Sequence, residues 1–336
     1  MAVTQDELEL YLRNFVGMDV HINTILKELD LLPTEAVRLR ELLCGRLREK
    51  KITKPSGRRD GWFKVLLDVK PVKVGGVRPE DIYNFTFPQG HSDASSFGLE
   101  DLMTISAGDL IVVAGKSNAG KSAFIYNILG QNIGKHSCLL MGNEIASSDG
   151  LILPKFLRRL KRMEWANFFN SDGELNFTLL PIAEDYEDYI QKDAFNIVDW
   201  ITIPEKVWLI GSTLNHIKKA AGKGVAVAVL QKKSDSDFGY GGEPTEHYAD
   251  VYLKIDPYGE KESRLTIGKV KEPKQRATGR MWAFKIIDFG ANFSNIREIE
   301  KCHVCWGKGW KKVGQGSAPC DDCGRTGYVD IKRDGW

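Results

Sequence analysis

The chain has 336 residues, of which 42% are hydrophobic and 27% are charged, and its formal net charge is +2. This length allows one large core with one or two small modules, and the composition argues against disorder along the whole chain. No apolar run approaches the roughly 20 residues that span a bilayer, and the polar, acidic N-terminus is unlike a signal peptide. We therefore expect a soluble, cytoplasmic protein with no membrane partner.

The first 73 residues are predicted to form a winged helix-turn-helix domain. A short helical pattern covers residues 19–29, and Thr34 is suited to cap a second helix whose apolar face runs from Ala36 to Leu47. Residues 52–63 have the composition of a hairpin, which would form the wing.

Positive charge is concentrated in this domain. Residues 34–64 contain ten Lys and Arg and four acidic residues, a net charge of +6. Such a local excess is typical of nucleic-acid binding, but a winged helix that docks only to proteins would carry the same solvated charges. The residues predicted to contact nucleic acid are Arg38, Arg46, Arg48, Lys54, Arg58 and Arg59.

A linker is predicted at residues 74–98, which are rich in Gly, Pro and Ser. From residue 99 to residue 300, short apolar runs alternate with longer helix-compatible segments, which indicates an α/β domain with a parallel sheet flanked by helices. The predicted strands are 110–114, 137–141, 195–198, 225–230, 251–255 and 264–270.

A phosphate-binding loop follows the first of these strands. Residues 115–122 match G-x-x-x-x-G-K-[ST], with a buried strand before them and a helical pattern after them. Backbone N–H groups and the helix N-terminus would hold the phosphates of ATP, Lys121 would reach the β- and γ-phosphates, and Ser122 would ligate Mg²⁺. The predicted nucleotide-binding residues are Gly115, Lys116, Ser117, Asn118, Ala119, Gly120, Lys121 and Ser122.

Three further polar residues follow predicted strands, at the edge of an open α/β sheet where ligands bind. Glu144 could activate the attacking water. Asp199 is placed to hold Mg²⁺, and Gln231 could sense the γ-phosphate. Any one of them taken alone could equally be an ordinary polar residue leaving a strand.

This order of motifs resembles the RecA-like ATPases, and within them the DnaB-type replicative helicase core with its phage and plasmid relatives. The resemblance covers residues 97–289. It is carried by segments 108–122, 143–144, 197–199, 229–231, 247–251 and 278–279. It implies an ATP-hydrolysing DNA helicase that acts in replication as a homo-oligomer, commonly a hexameric ring. ATP would sit between subunits and drive movement on single-stranded DNA.

One element departs from that family. Its trans-acting finger usually reads Lys-x-Arg on a late strand, whereas this chain has Lys269-Val270-Lys271. Either Lys271 substitutes for the arginine, or Arg276 reaches the neighbouring subunit, or there is no finger. A lysine lacks the rigid fork of arginine, so rapid hydrolysis is in question.

The loop after Gln231 is a second candidate DNA contact. In RecA-like proteins this region faces the central channel, and here it carries Lys232 and Lys233 with two aromatic residues. A flexible surface loop without a ligand is the alternative.

The last segment, residues 301–336, is predicted to be a zinc module. Cys302 and Cys305 are separated by 14 residues from Cys320 and Cys323, a spacing that suits a site with four thiolate ligands. The segment resembles the Cys-x-x-Cys-x-Gly-x-Gly repeat of DnaJ-type proteins. Either single-strand binding or protein docking is compatible with its tryptophans and lysines.

Two alternatives to a helicase stay open. The chain could be a recombinase- or loader-like switch that uses ATP to assemble on DNA and release it. It could also be a regulator whose winged helix binds a specific duplex site while ATP sets its oligomeric state.

Overall fold

The computed structural model describes residues 3–57, 60–66, 82–147, 150–201, 207–233, 236–314 and 316–331. The chain divides into two compact units, Met1–Val77 and Arg78–Trp336. Within the described residues, no helix is both long enough and apolar enough to cross a membrane. The predicted DNA contacts Arg58 and Arg59 lie outside the described residues.

The described residues of the first unit form four α-helices and a small antiparallel sheet, in the order β1-β3-β2. Its first helix begins with a capping box, in which the Glu7 amide donates to the Thr4 hydroxyl and the Thr4 amide donates to the Glu7 carboxylate. The elements are α1 (Gln5–Leu12), β1 (Asp19–His21), α2 (Ile22–Glu28), α3 (Ala36–Cys44), α4 (Arg46–Glu49), β2 (Thr53–Pro55) and β3 (Trp62–Val65).

Helices α3 and α4 pack their apolar face on this sheet, as the sequence predicted. Leu39, Leu43 and Leu47 are buried with Phe63 and Val65 of β3. The role expected of Thr34 is wrong, because Pro33 starts a 3-10 turn at Pro33–Glu35 and α3 begins after it without a side-chain cap. These elements are compatible with a winged helix, whose identification stays a prediction.

The second unit is built on one large twisted sheet. Its helices and strands are α5 (Lys121–Asn132), α6 (Pro154–Arg162), α7 (Tyr186–Tyr189), α8 (Ile210–Ala220), α9 (Pro244–Tyr248), β4 (Leu110–Gly115), β5 (Cys138–Met141), β6 (Thr178–Leu180), β7 (Phe195–Val198), β8 (Val225–Gln231), β9 (Val251–Tyr258), β10 (Glu262–Val270), β11 (Met281–Ile287), β12 (Asn292–Lys301), β13 (Trp310–Val313), β14 (Gly316–Pro319) and β15 (Tyr328–Asp330).

The described strands of this sheet run in the order β15-β12-β11-β10-β9-β4-β8-β7-β5-β6. The segment from β9 to β6 is parallel, and β4 lies between β8 and β9. The predicted α/β fold with a parallel sheet flanked by helices is confirmed, and all six predicted strands are present. From β9 to β15 the pairs are antiparallel, so β10 joins the sheet in the opposite direction.

Helices cover both faces of the parallel part. Along β4, Ile111 and Val113 belong to one buried cluster, while Leu110, Val112 and Ala114 belong to the other. This alternation explains why a buried central strand is an uninterrupted apolar run in the sequence. The sheet therefore holds the carboxyl end of β4, and with it the phosphate loop, in a fixed position.

Residues 74–81 of the predicted linker lie outside the described residues, and residues 82–98 are packed into the second unit instead of forming a linker. Phe85, Phe87 and Phe97 are buried in the main cluster of the second unit, and the Tyr83 amide donates to the carbonyl of Ile105. Burial of the aromatic side chains holds this segment in the fold despite its Gly and Ser content. The tail is also not separate from the ATPase domain predicted at residues 99–300, because β15 pairs with β12 across residue 301.

Candidate functional site

The phosphate loop joins β4 to α5, as its motif predicted. Gly115 ends β4, and α5 begins at Lys121 after Gly120, whose φ is 94°. A Cβ at Gly115 would lie 2.2 Å from the carbonyl oxygen of Ile255, and one at Gly120 would lie 2.1 Å from Cδ1 of Ile286. Gly115 is therefore required by space, because a backbone oxygen cannot move aside, and Gly120 is required by its backbone conformation.

Lys121 is only 8% exposed. Its Nζ donates a hydrogen bond of 2.7 Å to the carbonyl oxygen of Lys116, within the same loop. Burial lowers the pKa of Lys121, while the nearby Asp199 and Asp256 act in the opposite direction. The ammonium group of Lys121 is thus held within the loop, where it could exchange this hydrogen bond for one to a phosphate.

A network of oxygen atoms lies beside the loop and includes Ser122 and Asp199, the two residues predicted to hold Mg²⁺. The Ser122 hydroxyl donates to Oδ1 of Asp199 over 3.3 Å, and the Tyr126 hydroxyl donates to Oδ2 over 2.7 Å. Burial raises the pKa of Asp199, although these two hydrogen bonds favour its charged form. A hydroxyl and a buried carboxylate at the start of α5 are the hard oxygen donors that suit Mg²⁺.

Glu144 lies across a cavity from these residues. The cavity has a volume of about 510 Å³, and the phosphate loop lines one side of it. Glu144 is exposed, and its Oε2 lies 3.9 Å from Nζ of Lys155 on α6. The remaining lining residues include Phe156, Arg159, Ile286, Phe289 and Gly290. Lys121, Ser122 and Glu144 thus line one cavity, and Asp199 is buried behind it in contact with Ser122.

Gln231 does not share it. Gln231 pairs in register with Gly115 at the end of β8, but its side chain lines a neighbouring cavity of about 460 Å³ together with Phe238 and Tyr240. The structure brings its backbone to the phosphate loop and its amide to the other cavity. The γ-phosphate sensor role predicted for Gln231 stays a prediction that needs a rotation of this side chain.

Lys271 and Arg276, the two candidates for the finger, lie away from the phosphate loop of their own chain. Nζ of Lys271 donates to Oδ1 of Asp250 over 2.7 Å, and Asp250 also accepts from the amide of Leu110, at the amino end of β4. Although burial raises it, hydrogen bonds from Lys218 and Lys271 hold the pKa of Asp250 below its usual value. Arg276 is exposed in the loop between β10 and β11.

The structure corrects the prediction for Lys232. This side chain is 5% exposed, and its Nζ lies 2.9 Å from Oδ2 of Asp256. The Lys232 amide also donates to the carbonyl of Gly115. Lys232 therefore supports the phosphate loop from inside the unit and is not a DNA contact, whereas Lys233 is exposed.

The predicted nucleic-acid contacts of the first unit are exposed where they are described. These residues are Arg38, Arg46, Arg48 and Lys54. Arg40, on α3, forms an ion pair of 3.1 Å with Asp60. Surface charges of this kind are available to a polyanion.

The four paired cysteines converge, as their spacing predicted. The sulfur atoms of Cys302, Cys305, Cys320 and Cys323 all lie within 4.8 Å of one another, with 3.8 Å between Cys302 and Cys320 and 3.6 Å between Cys305 and Cys323. Tetrahedral zinc with Zn–S bonds of about 2.3 Å places its sulfur ligands roughly 3.8 Å apart. The geometry of the cluster fits a zinc ion with the four cysteine thiolates as its ligands.

Two similar turns, one after each Cys-x-x-Cys pair, orient these sulfur atoms. The amide of Gly309 donates to Sγ of Cys305 over 3.3 Å, and the amide of Gly327 donates to Sγ of Cys323 over the same distance. A Cβ at Gly309 would lie 2.2 Å from the carbonyl oxygen of Arg325. The glycines of the repeat therefore let the two turns pack against each other around the metal position.

Sequence reasoning missed several residues of the nucleotide cavity. Tyr126, Lys155 and Arg159 are among them, and Asp250 was not recognised as the partner of Lys271. The spacing of Lys155 and Arg159, one helical turn apart in a basic helix that follows Glu144, is a signal that could have identified them.

Strand order and site geometry together define an α/β unit whose phosphate loop follows the central strand β4 of a mostly parallel sheet. No protein-family model matches the chain, and no curated protein matches it in sequence. Among solved structures, a KaiC-like protein from the archaeon Pyrococcus horikoshii OT3 is similar, with 14% identity and a TM-score of 0.45. The match covers 63% of this chain and 99% of that one, and at such identity the likeness concerns the fold alone.

Proposed function

We propose that this protein hydrolyses ATP to move along DNA, as a translocase or helicase in the replication of a phage, plasmid or similar element. The observation that carries the proposal is the hydrogen bond between Ser122 and Asp199 beside a complete phosphate loop, with Ser122 and Glu144 lining one cavity. The DNA and replication parts rest in addition on the resemblance of the motifs to DnaB-type proteins.

The phosphate loop, Asp199 and Glu144 each have a defined role in this reaction. The loop amides and Lys121 bind the phosphates, and Lys121 exchanges its hydrogen bond to Lys116 for one to the nucleotide. Ser122 and Asp199 would hold Mg²⁺, which would neutralise charge on the phosphates when bound. Glu144 accepts a proton from the attacking water. The exposure of Glu144 leaves room for that water.

DNA binding is assigned to the first unit and to the loop that carries Lys233. The exposed basic residues of α3, α4 and β2 supply the charge that phosphate contacts require. Single-stranded DNA is the proposed substrate of the second unit, and duplex DNA is a candidate ligand of the first. Assembly as a ring is proposed on the same resemblance.

A switch that assembles on DNA without moving along it is the second candidate. It is favoured by one observation, the ion pair that engages Lys271 with Asp250. A lysine already neutralised by a carboxylate is a poor substitute for an arginine finger, so hydrolysis would be slow.

Turnover of ATP measured without nucleic acid, with single-stranded DNA and with duplex DNA separates the two candidates. For a motor we expect single strands to raise the rate at least about 10-fold, because the DNA loop follows β8, which pairs with the strand β4 that leads into the phosphate loop. Slow turnover that is indifferent to single strands would favour the switch.

The basic surface of the first unit is tested by the double variant Arg46→Ala/Arg48→Ala. Two lost phosphate contacts should reduce the slope of log K against log salt by about 2. The matched control is Arg13→Ala/Lys27→Ala, which removes two exposed charges from the same unit outside the predicted contacts. Equal slopes for both variants, measured by fluorescence anisotropy with a DNA duplex, would show that this surface does not bind DNA.

A further inference from the structure

The nucleotide cavity contains two cationic side chains beyond Lys121 that the motifs did not indicate. The finger candidate Lys271 is paired with Asp250 at the amino end of β4, away from the phosphate loop. Helix α6, by contrast, brings Lys155 and Arg159 into the lining of the nucleotide cavity. They stand one helical turn apart, so both project from the same face.

Arg159 is connected to the metal-binding oxygens through one side chain. Its guanidinium lies 5.5 Å from the centre of the Tyr126 ring, and the Tyr126 hydroxyl donates to Asp199 over 2.7 Å. Asp199 in turn accepts from Ser122 at the start of α5. These contacts place the guanidinium beside the residues that would hold the phosphates.

A specific turn fixes the direction of this arginine. Nε of Arg159 donates to the carbonyl oxygen of Phe289 over 3.1 Å. That carbonyl belongs to a turn in which Asp288, Phe289 and Gly290 have φ values of 52°, 56° and 90°. Two consecutive non-glycine residues in the left-handed region carry a conformational cost that the surrounding structure must offset.

Gly290 contributes space as well as conformation. A Cβ at this position would lie 3.2 Å from Nε of Arg159. Among the described residues, the two terminal nitrogens of Arg159 have no hydrogen-bond acceptor. The turn therefore holds the guanidinium by Nε and leaves its fork open to the cavity, which is how a bidentate phosphate contact is made.

We propose that Arg159 binds the γ-phosphate of ATP within its own chain and is the arginine that stabilises charge during hydrolysis. This inference rests on the proposed ATPase function. In the reaction the water oxygen forms a bond to the γ-phosphorus, and the bond between the γ-phosphorus and the β–γ bridging oxygen breaks. One proton of the water passes to Glu144. Arg159 donates hydrogen bonds to the γ-phosphate oxygens, and ADP leaves with the bridging oxygen.

Binding of ATPγS and of ADP, each with Mg²⁺, measures this contact without turnover. Arg159→Ala should weaken ATPγS binding about 10- to 100-fold, the range expected for a lost charge-assisted hydrogen bond. ADP lacks the γ-phosphate, so its Kd should change less than threefold. The matched control is Arg158→Ala, which removes an exposed arginine of the same helix. An equal loss for both nucleotides would indicate a structural role and overturn the proposal.

Mixing two inactive variants tests whether Arg159 acts within its own chain. Arg159→Ala should lower turnover by about 10³-fold or more, as for other phosphate-binding arginines. If the arginine served a neighbour, mixing this variant with Lys121→Ala would rebuild sites with an intact loop and an intact arginine. We expect no recovery of turnover in the mixture, and recovery would overturn the assignment.

Different results would reject the proposed ATPase function and the proposed role of Arg159. A wild-type protein that binds neither ATPγS nor ADP would reject the ATPase function and the role of Arg159 together. A wild-type protein that hydrolyses ATP, together with an Arg159→Ala variant that retains turnover and its preference for ATPγS over ADP, would reject only the role of Arg159.

Discussion

Replacing Lys121 with alanine will reduce ATP turnover at least about 10²-fold, the scale of losing one preorganised charge-stabilising donor. Lys121 is the cation of the phosphate loop, and its side chain is buried beside Asp199 with a single hydrogen bond, to the carbonyl of Lys116. Removing it leaves the backbone cradle in place but takes away the charge that contacts the phosphates. Turnover is measured by phosphate release under saturating Mg²⁺ and ATP.

The variant should remain folded, since it loses a charge whose burial is itself unfavourable. We expect its melting temperature to stay within a few degrees of that of the wild type. Lys219→Ala is the matched control, because it removes an exposed lysine from α8 without touching the cavity. Unchanged turnover in Lys121→Ala would contradict the P-loop assignment and with it the whole function.

The parallel part of the fold was predictable because its strands are buried on both faces. A strand such as β4 needs apolar side chains at every position, so it is visible as a continuous run. Where such a run ends, the next polar residue lies at the binding edge of the sheet. That rule located Asp199 correctly relative to Ser122.

The same rule could not give the direction of each side chain. Gln231 and Lys232 are adjacent in sequence, but one lines the neighbouring cavity and the other is buried against Asp256. The partner of Lys232 lies 24 residues further along the chain, on β9. Pairings of this kind depend on strand register, which a local pattern does not contain.

The spacing of the buried aromatic residues before β4 indicates an extended segment, but the Gly and Ser content of the same region led to the prediction of a linker. Phe85 and Phe87 are two positions apart, the period of an extended segment with one buried face. The Gly- and Ser-rich residues that follow dominated the prediction of a linker. For Arg159 no local pattern could have been sufficient, since the orientation of its side chain depends on a turn 130 residues away.

Replacing Cys320 with serine should release about one zinc ion per chain and unfold the tail. The buried residues of this cluster are the four cysteines, with Val329 packed against them, so the module has almost no apolar core among the described residues. Its folding energy must come mainly from metal binding, which contributes about 10–16 kcal/mol in small zinc domains. A hydroxyl does not replace the thiolate ligand, and three cysteines would not hold the metal with comparable affinity.

The loss should extend to the last strand of the large sheet but not to the phosphate loop. Strand β15 is held to β12 by three residue pairs, with an added ion pair of 3.0 Å between Arg297 and Asp330. Limited proteolysis should therefore cut beyond residue 301 in Cys320→Ser, while nucleotide binding by the core persists. Loss of both together would show that the tail is part of the ATPase core.

Zinc content is measured by mass spectrometry of dialysed protein, with Cys44→Ser as the matched control. Cys44 is an exposed thiol in the first unit, so this variant loses a cysteine without losing a ligand. We expect one equivalent of zinc in the wild type and in Cys44→Ser, and almost none in Cys320→Ser. Stoichiometric zinc retained by Cys320→Ser would refute the four-thiolate site, because a tetrahedral structural zinc keeps all four protein ligands.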